Sequence, residues 1–192
     1  GMVIGRSPES IDRIKILSLH GMTKDAWHRF GDSGYKHYQV VDAGFKYNMM
    51  DLQAAIGIHQ LERVDRSWLR RQEIWNRYQV NFGGLPVGTP SEPQSNTRHG
   101  HHLYTLTIDE ATSGISRDAF INAMTDASIG VGVHYQSLAH HPYYKERFGW
   151  RVAEYPVAEH YGLSTISLPL SAKLSDAEIE YIISTVAQLV TH

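Results

Sequence analysis

An α/β fold is predicted for this chain: a helix-rich domain around a short, mainly antiparallel sheet, joined by one long helix to the remnant of a larger domain. Three observations carry that prediction. A helical period runs without a proline from about residue 49 to about residue 82, β-formers recur in short stretches after residue 102, and a capped amphipathic helix closes the sequence. With 192 residues the chain is one domain or one and a fraction.

Each element has a local reason. Ser7-Pro8-Glu9 supplies a hydroxyl cap, a proline at the first helical position and an acid in the first turn, and Gly21 ends that helix. Residues 22–43 show no clear period and are rich in glycine and aromatics; a stretch that long is either functional or ordered by a partner. The long helix places Gly57, Leu61, Val64, Trp68, Trp75 and Tyr78 three or four residues apart. At roughly 50 Å it would have to bridge two bodies or two subunits. Gly83-Gly84-Leu85-Pro86 breaks it, and 87–98 reads as a Pro/Ser/Thr-rich surface loop. Strands are expected over 102–108, 130–135 and 165–168, with helices capped at Ser116 and starting at Pro156. Ser175-Asp176-Ala177-Glu178 is a capping box opening a helix whose apolar stripe is Ile179, Ile182, Ile183, Val186, Leu189 and Val190.

Composition narrows the function classes. With 18 basic and 20 acidic side chains the formal net charge is −2, so no global field recruits nucleic acid or an anionic membrane. Without cysteine there is no disulfide framework, no thiolate metal site and no thiol nucleophile. No apolar run nears the roughly 20 residues that span a bilayer, and a cytoplasmic protein is expected. Gly1-Met2 reads as a protease scar before an initiator methionine, and Met2-Val3-Ile4-Gly5 as the tail of a strand with almost nothing ahead of it. A truncated chain is therefore expected.

Several short motifs are weighed and set aside. Gly31-Asp32-Ser33-Gly34 matches the start of a serine-protease nucleophile loop, but the chain lacks that fold's many strands. Among the 12 histidines, His99 and His101 could share one face of a strand and ligate a metal. Lacking a nearby carboxylate at ligand spacing, His99, His101 and His102, like His140 and His141, are read as partly exposed, and no metal is assigned. Gly130-Val131-Gly132 has neither the third glycine nor the helix of a phosphate loop; close packing against the strand explains it. At Gly44-Phe45-Lys46-Tyr47-Asn48, Asn48 is a good N-cap for the long helix with Asp51 at its third position. Lys46 and the helix amides there could also receive an anion.

The stretch from Gly44 to Gly57, continued by His59-Gln60-Leu61-Glu62-Arg63-Val64-Asp65, resembles the DegT family of pyridoxal-phosphate nucleotide-sugar aminotransferases, which typically shows Gly-Tyr-Asn-Tyr-Arg-Met and then a Gln-Ala-Ala-x-Gly-x-x-Gln-Leu-Glu helix. Leu19-His20-Gly21, Gly130-Val131-Gly132-Val133-His134-Tyr135 and Ser167-Leu168-Pro169-Leu170 resemble its later segments in the right order. The resemblance covers essentially the whole chain. It implies the C-terminal small domain of a fold-type I aminotransferase, with 1–48 as a remnant of the large cofactor-binding domain and its loop and 49–192 as the long helix and small domain. Lys46 and Asn48 depart from the commoner asparagine and arginine, and with Thr23-Lys24-Asp25-Ala26-Trp27 they are closer to the subgroup making UDP-4-amino-4-deoxy-L-arabinose for lipopolysaccharide.

The resemblance further implies that Lys46 and Asn48 touch the phosphate of a neighbouring subunit's pyridoxal phosphate, that His134 and Tyr135 face the substrate, and that the protein is a homodimer. Its substrates would be a UDP-4-keto sugar and glutamate. The lysine that binds the cofactor covalently sits, in the family, in a Ser-Phe-His-x-x-Lys type motif, and none of Lys15, Lys24, Lys36, Lys46, Lys145 or Lys173 occupies one. Transamination needs that lysine to hold the cofactor and move a proton. The chain is therefore expected to be the C-terminal half of the enzyme and inactive alone. The alternative is a non-catalytic dimerisation or sugar-binding module of the same fold.

Overall fold

The structure is a computed structural model and describes residues 3–23 and 38–190. The Thr23–Trp27 motif beyond Thr23, the Gly31–Gly34 tetrad and Gly1-Met2 lie outside the described residues. Two compact units meet in the sequence between Glu62 and Arg63.

In the first unit, helix α1 spans Pro8–Ser18, and the Ser7 hydroxyl accepts from the Ser10 amide at 3.2 Å. It ends through Gly21, whose N–H reaches the Ile16 carbonyl at 2.9 Å with φ +70°. A Cβ at Gly21 would sit 1.8 Å from the Asp42 carbonyl oxygen, so only glycine lets the returning chain cross here. That returning segment bridges Met22 to Val40 and Leu19 to Lys46.

Helix α2 spans Asp51–Glu62 and α3 spans Val64–Phe82. The single long helix expected over 49–82 is thus two helices, broken at Arg63 with φ −106° and ψ 6°. Burial explains the break. The apolar residues of α2 point around its whole circumference and none is buried, whereas α3 buries one stripe, Ile74, Trp75, Tyr78 and Phe82. No shared stripe ties the two into one rod. Asn48 is not the N-cap either: the helix starts at Asp51, and the Gln53 side chain accepts the Met50 amide at 3.0 Å.

The second unit is built on an antiparallel pair. β1 (Tyr104–Thr107) and β2 (Thr165–Leu168) run with Tyr104 opposite Leu168 and Leu106 opposite Ile166. Among the described residues this is the whole sheet. The third strand expected over 130–135 shrinks to one bridge, Gly132 to Ser167, for a reason given below. Among the described residues four α-helices lie between β1 and β2, namely α4 (Glu110–Ser113), α5 (Arg117–Asp126), α6 (Pro142–Phe148) and α7 (Pro156–Ser164), and a fifth, α8 (Asp176–Val190), follows β2. The Ser116 hydroxyl caps α5 as expected, and Ser175 and Glu178 make the reciprocal capping box of α8.

The core lies between α3, the strand pair, α5 and α8: Tyr78, Phe82, Tyr104, Leu106, Phe120, Met124, Ile166, Ile179 and Val186 are fully enclosed. Two buried phenols find acceptors, Tyr78 on the Pro169 carbonyl at 3.0 Å and Tyr104 on Gln79 at 2.7 Å, while burial pushes both hydroxyls well above their ordinary range. On the rim, Asp176 accepts from Arg70 at 2.7 Å and from Arg77 at 2.8 Å, tying α8 to α3. No described helix is long and apolar enough to cross a membrane.

Candidate functional site

The sequence singled out two groups of residues, and they fall in different units. In the first, the backbone bridge between Leu19 and Lys46 fixes the strand-like segment ahead of α2. From there the Lys46 ammonium donates to the Asn48 side-chain oxygen. Because the carboxamide oxygen faces the lysine, the Asn48 nitrogen remains a donor, and the pair presents N–H groups together with the first amides of α2. Such a donor set fits a phosphate. Asp51, at the first helical position rather than the third, adds an opposing carboxylate at the same helix end. Phe45 and Tyr47 stack beside it at 5.0 Å, and Tyr47 is exposed.

In the second unit the site grows from β2. Ser167 pairs with Gly132 through both backbone bonds, at 2.7 and 3.2 Å, and its hydroxyl lies 2.9 Å from Nδ1 of His134. A Cβ at Gly132 would come within 2.8 Å of the His134 ring. The imidazole therefore folds back over Gly132, which is why pairing with β2 stops there. Close packing of Gly130 and Gly132 against the strand was expected; instead Gly132 is crowded by the His134 ring and nothing crowds Gly130. Tyr135 turns out into solvent with its ring edge-on to His134 at 4.8 Å.

A cavity of about 480 Å³ opens beside Tyr135, lined also by Arg117, Val133, Gln136, Leu138 and His141. The structure thus puts Tyr135 on a cavity wall and holds His134 just behind, on Ser167. Sequence reasoning missed Arg117. Its guanidinium donates to Asp118 at 2.6 Å and to the carbonyls of Gly162 at 3.2 Å and Thr165 at 3.4 Å. The available signal was its place directly after the Ser116 cap: a cation at the positive end of a helix is unfavourable unless something outside the helix holds it there.

Of the histidines expected to be partly exposed, His101 alone departs from expectation, while His99, His102, His140 and His141 do not. His101 is 3% exposed, with φ +43°, wedged against Trp75 at 5.0 Å between ring centres. A residue expected to be partly exposed is buried because the indoles of α3 form a slot for its ring. His140 pairs with Glu159 of α7 at 2.5 Å. Among the described residues no group of three or more histidine or acidic side chains could hold a metal ion.

The DegT/DnrJ/EryC1/StrS aminotransferase family model matches residues 1–187. The chain belongs to that family. It is 41% identical over 191 residues to the spore coat polysaccharide biosynthesis protein SpsC of Bacillus subtilis, covering 99% of this chain and 49% of that one. An uncharacterized protein of Methanocaldococcus jannaschii is 36% identical, with 100% and 50% covered. This member of the family thus spans about half the length of the curated relatives it matches. Among solved structures, the PLP form of a putative sugar aminotransferase of Streptococcus pneumoniae superposes with a TM-score of 0.83 at 30% identity, over 99% of this chain and 45% of that one. PseC of Helicobacter pylori, an aminotransferase involved in the biosynthesis of pseudoaminic acid, superposes at 0.81 over 96% of this chain and 47% of its own, and at 22% identity shows the fold alone. The resemblance read from the Lys46–Gly57 region is therefore correct at the level of the sugar aminotransferase family and its fold.

Proposed function

We propose that this chain is the C-terminal part of a pyridoxal-phosphate-dependent aminotransferase that moves an amino group from glutamate to the 4-keto group of a UDP-sugar. The observation that carries the substrate half of this reading is the cavity at Tyr135, lined by Arg117 together with the apolar Val133 and Leu138. A cation and apolar contacts on one concave wall suit an anionic sugar derivative. Lys46 and Asn48, both replacing commoner family residues, lean the choice towards a UDP-4-keto pentose.

Each residue has an assigned task. Lys46 and Asn48, with the first amides of α2, hold the phosphate of a neighbouring subunit's cofactor. His134, kept in one orientation by Ser167, and Tyr135 face the sugar. Bound pyridoxal phosphate supplies the amino-group carrier and electron sink of the reaction. The lysine that would bind it covalently is assigned outside these 192 residues, so the chain is inactive alone and works in a homodimer of the longer protein. A cytoplasmic location goes with soluble keto-sugar nucleotides as substrates.

The test needs no turnover. UDP-glucose added to isotopically labelled chain is expected to move the backbone resonances of residues 133–141 and the His134 ring. Shifts confined to other segments, or none at saturating ligand, would overturn the assignment of this cavity.

A further inference from the structure

We propose that His99 and His101 form an acid-released latch that fastens the segment 88–103 along α3. The segment runs back along the helix from its C-terminal end. Gly88 pairs with Thr107 of β1 through two bonds of 2.9 Å, Gln79 donates to the Pro90 carbonyl and to Glu92 at 3.0 Å each, the Trp68 indole donates to the His99 carbonyl at 2.7 Å, and Arg98 pairs with Asp65 at 2.7 Å while lying 4.2 Å over the Trp68 ring. Most of these are single polar contacts at the surface. The enclosed fastening is His101, set against Trp68 and Trp75.

The latch is built for one proton too few. The His101 backbone N–H donates to Nδ1 of His99 at 3.2 Å, so that nitrogen is an acceptor and carries no proton of its own. Nδ1 of His101 faces the same nitrogen at 3.3 Å. A further proton on the His101 ring would place a charge between the two indoles, out of water. The other charged groups around it are Arg71 and Asp65 on α3 and Arg98 and Glu92 on the segment itself, while β1 contributes only the neutral Tyr104 phenol. Burial, then His99, then Arg71 hold His101 below the ordinary imidazole pKa of 6.5, and Glu92 opposes them weakly.

The sign follows. A histidine whose pKa is depressed in the latched state lends stability that is complete above 6.5 and is lost as the pH falls through 6.5 towards its depressed value. Within that window a release that takes up one proton becomes about tenfold more favourable for each pH unit.

Hydrogen exchange read by mass spectrometry on the full chain at pH 7.5 and 5.5, corrected for intrinsic rates, tests the latch. Relative to β1 and β2, amides of 94–103 are expected to exchange faster at the lower pH, by up to about tenfold. H101F keeps an aromatic ring against Trp68 and Trp75 but cannot take up a proton, and is expected to shrink that ratio. An unchanged ratio, an acceleration shared equally by β1, β2 and α8, or an undiminished response in H101F would each overturn the proposal.

Discussion

Nδ1 of His134 stands 2.9 Å from the hydroxyl of Ser167, and the same serine pairs through its backbone with Gly132, two residues before the histidine. One residue of β2 therefore fixes both the path of the 130–135 segment and the orientation of the ring at its end.

Gly132→Ala tests that arrangement. The added methyl would lie 2.8 Å from the His134 ring, so the ring must turn away. A stability loss of about 1–3 kcal/mol is expected, read from the urea midpoint. The UDP-glucose shifts at 133–141 should weaken with it, and an unaltered His134 ring signal would contradict the packing described.

Arg117→Met keeps the length of the side chain and removes its donors. The Gly162 and Thr165 carbonyls lose a charged partner, and about 1–3 kcal/mol of stability should go with it. The ligand test should suffer more than the fold does, because Arg117 lines the cavity beside Tyr135. Equal UDP-glucose binding by variant and parent would remove Arg117 from the site.

Acid stability turns partly on α8. The Arg70 guanidinium first, with Arg77, holds the Asp176 carboxyl below its ordinary range. A depressed carboxylate contributes stability that is present above the unfolded pKa and lost as the pH falls through the folded one. Both partners sit at the rim, so the effect is small. Between pH 5 and 3 the parent should lose more stability than Asp176→Asn in parallel denaturant titrations; parallel curves would contradict the assignment.

The exposed apolar side chains of α2 predict self-association. Leu52, Ile56 and Leu61 are all more than half exposed, and apolar patches of that kind mark contact surfaces. Light scattering should report a dimer or larger species, and Ile56→Glu should shift it towards monomer without loss of helix, since α2 buries none of its side chains. A monomeric mass at high concentration for the parent would contradict this.

What could be read in the sequence was local chemistry. The Ser7, Ser116 and Ser175 caps, the β1 and β2 segments and the α8 stripe are all specified within a few residues, and all are present. Long-range facts were not legible. The break at Arg63 has no proline or glycine to announce it and follows from α2 and α3 having different burial. His101 looked like an exposed loop residue because its slot is made by Trp68 and Trp75, some thirty residues earlier. Arg117 was visible only as a cation on the wrong end of a helix. The Lys46–Asn48 pairing could be seen as a motif, but not that the helix would start three residues later.

The most direct measurement is a pyridoxal-phosphate titration followed by absorbance, then borohydride reduction and peptide mapping. With the covalent lysine outside these 192 residues, reduction should leave no lysine stoichiometrically modified. One lysine carrying the cofactor in stoichiometric yield would contradict that assignment and make the chain a candidate enzyme by itself.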